Sequence, residues 1–358
     1  MTPLHKIIRV GLIGFGVGGQ IFHAPVLTAI PGLKLTKIRA SKPEQILVAQ
    51  RKYPEAKTFS TSEEIINDPD IHLVVISTPN TSHHLLALQA LQAGKHVVVD
   101  KPFTTTTAEA DELIALAADR NLVLSVFQSR RFDSDFRTLE KVIKSDLLGD
   151  LVEFESRYDR FRNFPKPNAW REEEELGAGI LYDLGSHLID QALTLFGLPE
   201  AVTADLRLQR KFAKAVDNFE VILHYPSVKV SLKAGMLVKE SLPRFILLGT
   251  KGSFVKYGLD VQEEDLKAGH SPLTKDHWGI EPQQIWGKIN SDVNGCHIIG
   301  NIESEPGNYT EFYDNVYRTI VDKDQLLVTP LQARNTIRII ELAMQSDLTG
   351  RTVDYFFS

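Results

Sequence analysis

The chain has 358 residues, 43% of them hydrophobic and 24% charged, with a formal net charge of -6. This is the composition of a globular protein long enough for two domains, and it offers no basic face for nucleic acid. A single cysteine, Cys296, excludes an internal disulfide framework and a cysteine-built zinc centre, and no apolar run reaches the length of a membrane span, so a cytoplasmic location is expected.

The apolar run Ile7 to Ile13 leads directly into Gly14-Phe15-Gly16-Val17-Gly18-Gly19, followed by a predicted helix from Gln20 to Ile30. A G-x-G-x-x-G loop between a strand and a helix fits a dinucleotide. Gly14 permits the tight turn, Gly16 lets the backbone approach a pyrophosphate, and Gly19 lets the helix pack close to the sheet. Phe15 and Gly18 belong to the same loop. The phosphates sit at the helix N-terminus, where free N–H groups and the dipole favour anions. Strand two is read at Leu33 to Ile38 and ends in Arg39-Ala40-Ser41-Lys42, with no carboxylate before Glu44. A carboxylate there would bind ribose hydroxyls and favour NAD; a hydroxyl and a cation, Ser41 and Lys42, suit the 2′-phosphate of NADP.

Thr61 to Glu64 reads as a capping box before Ile65-Ile66. Leu73 to Ile76 and His96 to Val99 are buried strands, separated by a helix from Ser82 to Ala93. A helix from Ala108 to Arg120 leads to a strand at Leu122 to Val126. This alternation implies a parallel sheet with helices on both faces and ligands beyond its carboxyl ends. Thr78-Pro79-Asn80, Asp100-Lys101-Pro102 and Phe127-Gln128 lie at those ends.

After about residue 128 the pattern changes, placing a dinucleotide-binding domain in residues 1–128 and an α+β domain in 129–358. Period-2 alternation in 202–208, 219–225 and 228–234, and a hairpin from Phe245 to Tyr257, imply a mostly antiparallel open sheet. Residues 260–307 show no period and read as a long loop region, a lid or a subunit contact. Helices return at Tyr309 to Val321 and Leu331 to Met344.

Lys101, restrained by Pro102, points into the ligand crevice and can donate to a substrate oxygen, or it is a surface lysine capping the next turn. In Gly177 to Asp190 the apolar spacing is helical, so Asp183 and His187, four apart, share a face. A carboxylate so placed orients an imidazole for general acid/base work. No third ligand is spaced nearby, so no metal is expected. A helix-surface ion pair is the plain alternative.

The glycine loop, the Thr78-Pro79 strand end, Asp100-Lys101-Pro102 and the Asp183/His187 helix resemble, in order and interval, the Gfo/Idh/MocA oxidoreductases over essentially the whole chain. Phe22-His23-Ala24-Pro25, Arg130-Arg131-Phe132-Asp133, Trp170-Arg171 and Tyr182 to His187 are similar to its bacterial NADP-dependent scyllo-inositol dehydrogenases. The resemblance implies a Rossmann domain, and hydride transfer between NADP and a polyol or sugar. It gives Lys101 the role of orienting substrate and His187 that of exchanging the hydroxyl proton, with Asp183 on the same substrate. Further cofactor contacts are expected at Thr78, Pro79, Asn80, His83, Asp100, Gln128, Trp170 and Arg171, and substrate contacts at Tyr158 and Arg160. Arg157, Arg162, Asn163 and Asn168 share the latter cluster, which otherwise reads as a solvated loop. Asp100 departs from the family's usual glutamate. The family also implies a homo-oligomer, dimer or tetramer, through the C-terminal sheet.

Overall fold

The computed structural model describes residues 6–356. They form two compact units. One runs through Ser129 and adds Gln262–Trp278 and Asn308–Arg334; the other holds Arg130–Val261, Gly279–Gly307 and the chain from Asn335 onward.

The first unit is built on six strands: β1 (Ile8–Ile13), β2 (Leu33–Arg39), β3 (Lys57–Phe59), β4 (Leu73–Ile76), β5 (His96–Asp100) and β6 (Leu124–Phe127). Their order is β3-β2-β1-β4-β5-β6 and every pairing is parallel. All four residues of β4 are buried, as apolar strands covered on both faces require. The order reverses between β1 and β4, which opens a crevice at their carboxyl ends. The first helix begins earlier than expected, with a wide turn at Gly18–His23, and continues only through Ala24–Leu27. At Glu63–Ile66 the cap is Ser62, and only half of the expected box forms: Glu64 accepts from the Thr61 N–H and hydroxyl. The complete capping box lies at Thr106 and Glu109, opening helix Thr107–Asp119.

The second unit carries a nine-stranded sheet: β7 (Leu151–Arg157), β8 (Ala201–Arg207), β9 (Asn218–His224), β10 (Lys229–Gly235), β11 (Phe245–Gly249), β12 (Gly252–Lys256), β13 (Gly287–Val293), β14 (Cys296–Ile302) and β15 (Val353–Asp354). The order is β14-β13-β12-β11-β7-β10-β9-β8-β15, antiparallel except where β7 meets β10. Phe154 packs against Phe196 of helix Ser186–Phe196 and against Phe245, with ring centroids 5.2 and 6.1 Å apart.

The long loop expected over 260–307 is corrected: it contains helix Gln262–Lys267 and the β13–β14 hairpin. The hairpin escapes a hydrophobic pattern because the buried positions of β13 are Gly287, Ile289 and Ser291, and β14 is largely exposed. Gly287 is small because a Cβ there would meet the Phe254 ring at 2.0 Å. The turn itself, Asn294-Gly295, has φ of 51° and 80°, the left-handed pair a two-residue hairpin needs. Among the described residues no helix is long and apolar enough to cross a membrane.

Candidate active site

In the first unit the glycine loop closes the carboxyl end of β1. Gly14 has φ +99°, and a Cβ on it would lie 2.2 Å from the Ser77 carbonyl oxygen. On Gly19 a Cβ would lie 2.1 Å from the Gly14 carbonyl oxygen, and on Gly18 2.4 Å from Ser77 Oγ. These three are glycine because the protein's own atoms leave no room. Gly16 is different: nothing stands within 4 Å of its would-be Cβ. That open approach to backbone beside a helix start is what a pyrophosphate requires. Phe15 is buried with its ring edge-on to Tyr53, 6.2 Å away.

Beyond β2, Ser41 and Lys42 are exposed, and Lys42 precedes helix Pro43–Lys52. Beyond β4, Thr78 Oγ1 accepts from Ser82 Oγ at 2.7 Å, Pro79 is exposed, and Asn80 is buried in a short turn. His83 is fully buried, with Nδ1 2.8 Å from the Pro102 carbonyl and Nε2 3.0 Å from the Thr78 carbonyl. Burial lowers its pKa against the pull of Asp100 and those carbonyls. It therefore ties the β4 and β5 ends together through main chain.

Asp100 ends β5, accepting from Ser77 Oγ at 2.9 Å and from the Lys101 N–H at 2.8 Å. Burial alone would push its carboxyl up, but His23, Lys101 and His83 hold it well below the usual carboxylate range. Lys101 is half-buried. At the end of β6, Gln128 is 2% exposed and its Oε1 has no hydrogen-bond partner among the described residues. An orphaned amide oxygen at a strand end matches the carboxamide N–H groups of a nicotinamide. The residues present fit a nicotinamide dinucleotide.

The second unit holds the other expected groups. At Gly179, φ +76°, a Cβ would lie 3.0 Å from the Val216 main-chain N and O, and the Ile180 N–H donates to the Val216 carbonyl at 2.8 Å. A wide turn, Leu181–Gly185, then runs into helix Ser186–Phe196. Asp183 thus sits on a π-type turn rather than the plain α-helix expected; such turns often aim functional side chains. Leu181, Tyr182 and Leu184 are buried, while the Asp183 carboxylate keeps partial exposure. Arg171 Nε stands 3.5 Å from one carboxylate oxygen and Arg160 Nη1 3.9 Å from the other. His187 is 6% exposed.

Tyr158 is buried, its ring inclined 23° to that of His187 at 6.4 Å. Its hydroxyl accepts from Arg130 Nη2 at 2.8 Å, which leaves the O–H proton to be donated. The Arg130, Arg160 and Arg244 guanidiniums lie 5.5, 5.4 and 5.2 Å from that ring. Arg157 is engaged by Asp159 and Glu155, Arg162 by Glu172, while Asn163 and Asn168 are exposed. The Arg171 guanidinium lies 4.5 Å from the Trp170 ring. Buried Glu172 anchors this segment: it accepts from Arg210 Nη2 at 2.6 Å, and Arg210 Nε reaches Asp217 at 2.8 Å.

The sequence reading missed Ser77, Tyr313, Arg244 and the Glu172–Arg210–Asp217 anchor. Only the spacing of charges could have hinted at the last, and nothing local marks the others. No group of three or more His, Cys, Asp or Glu side chains among the described residues is placed to hold a metal.

A Gfo/Idh/MocA model described as "Oxidoreductase family, NAD-binding Rossmann fold" matches residues 8–128, and its partner, "Oxidoreductase family, C-terminal alpha/beta domain", matches residues 140–355. The chain is 39% identical to the scyllo-inositol 2-dehydrogenase (NADP(+)) IolW of Bacillus subtilis, covering 97% of this chain and 95% of that one. It is 42% identical to the uncharacterized oxidoreductase YdgJ of Escherichia coli, covering 95% and 96%. Among solved structures, the oxidoreductase yvaA of Bacillus subtilis superposes with a TM-score of 0.93 at 38% identity over 99% of both chains.

Proposed function

The chain belongs to the Gfo/Idh/MocA oxidoreductase family, as a dehydrogenase acting on CH–OH groups, and from that premise we propose that it interconverts scyllo-inositol and its ketone with NADP. The near full-length likeness to a named NADP-dependent scyllo-inositol dehydrogenase carries this reading. It is supported by Lys101, Asp183 and His187, the reacting groups that the family resemblance assigns. The absence of a carboxylate before Glu44 supports NADP over NAD, with Ser41 and Lys42 receiving the 2′-phosphate.

Bound NADP supplies the hydride acceptor. The glycine loop holds its phosphates, Gln128 its carboxamide, and Thr78, Pro79 and Asn80 border it; His83 acts behind them by joining two strand ends. His187 takes the proton of the reacting hydroxyl. Lys101 donates to that oxygen and stabilises the charge left on it. The Asp183 carboxylate accepts from ring hydroxyls and fixes which carbon reacts. Residues 1–128 serve the cofactor and 129–358 the substrate and oligomer contacts. The protein works in the cytoplasm as a dimer or tetramer; the exposed Ile298 and Ile299 of β14 suit burial by a second copy.

The half-exposed Arg160 and Arg171 favour one other reading, a sugar acid oxidised by the same groups. Initial rates with inositol isomers, aldoses and aldonates, each with NADP and with NAD, separate the two. Turnover of scyllo-inositol with NADP supports the proposal. Turnover confined to sugar acids moves the substrate while keeping the chemistry. NADPH binding without turnover on any of them would favour a non-catalytic regulator.

A further inference from the structure

Asp100 stands where the glycine loop and the ends of β4 and β5 meet. Besides Ser77 and the Lys101 N–H, its carboxylate lies 3.3 Å from His23 Nε2. His23 is fully buried, and its other nitrogen, Nδ1, is 2.6 Å from the hydroxyl of Tyr313 on helix Thr310–Asp322. Tyr313 is also fully buried, packed against Phe127 and Phe312. Neither His23 nor Tyr313 has a part in the reaction described above. Packing alone does not call for an imidazole and a phenol here, because burying polar groups is favourable only where they are paired. The His23 ring thus stands between the two, Nδ1 facing the Tyr313 hydroxyl and Nε2 facing the Asp100 carboxylate.

We propose that Tyr313 and His23 are positioning residues for Lys101. They fix the Asp100 carboxylate, which holds the Lys101 main chain and so presents the ammonium in one place. The proposal rests on the role given to Lys101 above.

The test uses the full chain and the polyol that turns over in the panel above. Tyr313→Phe keeps the ring packing and removes one hydroxyl; His23→Asn removes the link itself. Each is made alone and in a Lys101→Ala background, with kcat, KM, NADPH affinity and Tm measured. The expected result is a fall in kcat of about tenfold for each single variant, with KM and NADPH affinity near wild type. In the Lys101→Ala background neither variant should cost anything further. Wild-type kcat in both single variants, with Lys101→Ala crippled, overturns the positioning role and leaves Lys101 standing. Losses that simply add to that of Lys101→Ala overturn it as well. Wild-type kcat in Lys101→Ala overturns the role of Lys101 and this proposal with it.

Discussion

Alanine at positions 14 and 16 should have opposite consequences, although both are fingerprint glycines. At Gly14 the new Cβ would lie 2.2 Å from a main-chain oxygen, Ser77 O, in a backbone conformation of φ +99°. Ser77 cannot yield easily, because its N–H donates to the Ile13 carbonyl at 2.8 Å and so joins β4 to β1. Strain and overpacking together should cost about 2–4 kcal/mol. At about 2–4 °C per kcal/mol, that is a drop in Tm of roughly 4–16 °C. At Gly16 the Cβ meets nothing within 4 Å, so stability should change by no more than about 0.5 kcal/mol. The methyl would instead occupy the approach a phosphate needs, weakening NADPH binding about 100-fold, or about 2.8 kcal/mol. Thermal melts and fluorescence titration with NADPH read the two effects separately. Wild-type NADPH affinity in Gly16→Ala, or a loss of stability matching that of Gly14→Ala, would refute the reasoning.

His187→Ala should lower kcat about 10²-fold or more while NADPH affinity holds; unchanged turnover removes His187 from the proton-transfer role. Ser41→Asp places a carboxylate beyond β2 and should shift the ratio of kcat/KM values toward NAD, while an unaltered ratio would put the 2′-phosphate elsewhere. His96 Nδ1 accepts from the Val123 N–H, and burial lowers its pKa from 6.5 to about 4. Between those values the unfolded chain binds the proton and the folded chain does not, so stability should fall as pH drops from 6.5 toward 4, by about 3 kcal/mol at most. Denaturant melts across that range should show a flatter profile for His96→Gln, and parallel profiles would refute the assignment. Glu172→Gln takes a counter-charge from buried Arg210 and should cost about 1–3 kcal/mol in denaturant melts, with a raised KM as the Trp170–Arg171 segment loosens. A variant with unchanged melts and KM would show that Glu172 anchors nothing.

The first unit was legible because its signals are local. Apolar runs such as Leu73 to Ile76 mark strands covered on both faces, and a glycine loop between strand and helix marks the crevice. The β13–β14 hairpin was not read, because its inward positions include Gly287 and Ser291 and its edge strand is exposed. Its Asn294-Gly295 turn was the one available signal. The helix bearing His187 is legible in its apolar spacing. The wide turn at Leu181–Gly185 is not, since it depends on how Gly179 lets the chain meet Val216. The partners of named residues were the hardest to see. Tyr313 lies 290 residues from His23 and Arg244 lies 88 from Ser156, and no spacing rule joins them. The Tyr158 cluster shows the same limit: its polar residues are marked in the sequence, but the Arg130 donor to the Tyr158 hydroxyl is not.

Supplying scyllo-inositol deuterated at its ring carbons, with NADP, and examining the reduced nicotinamide by NMR tests the central claim most directly. Deuterium should appear on the nicotinamide ring in step with ketone formation, and far less of it with NAD. Ketone formed without deuterium on the nicotinamide, or no ketone from scyllo-inositol under conditions where NADP is bound, would contradict it.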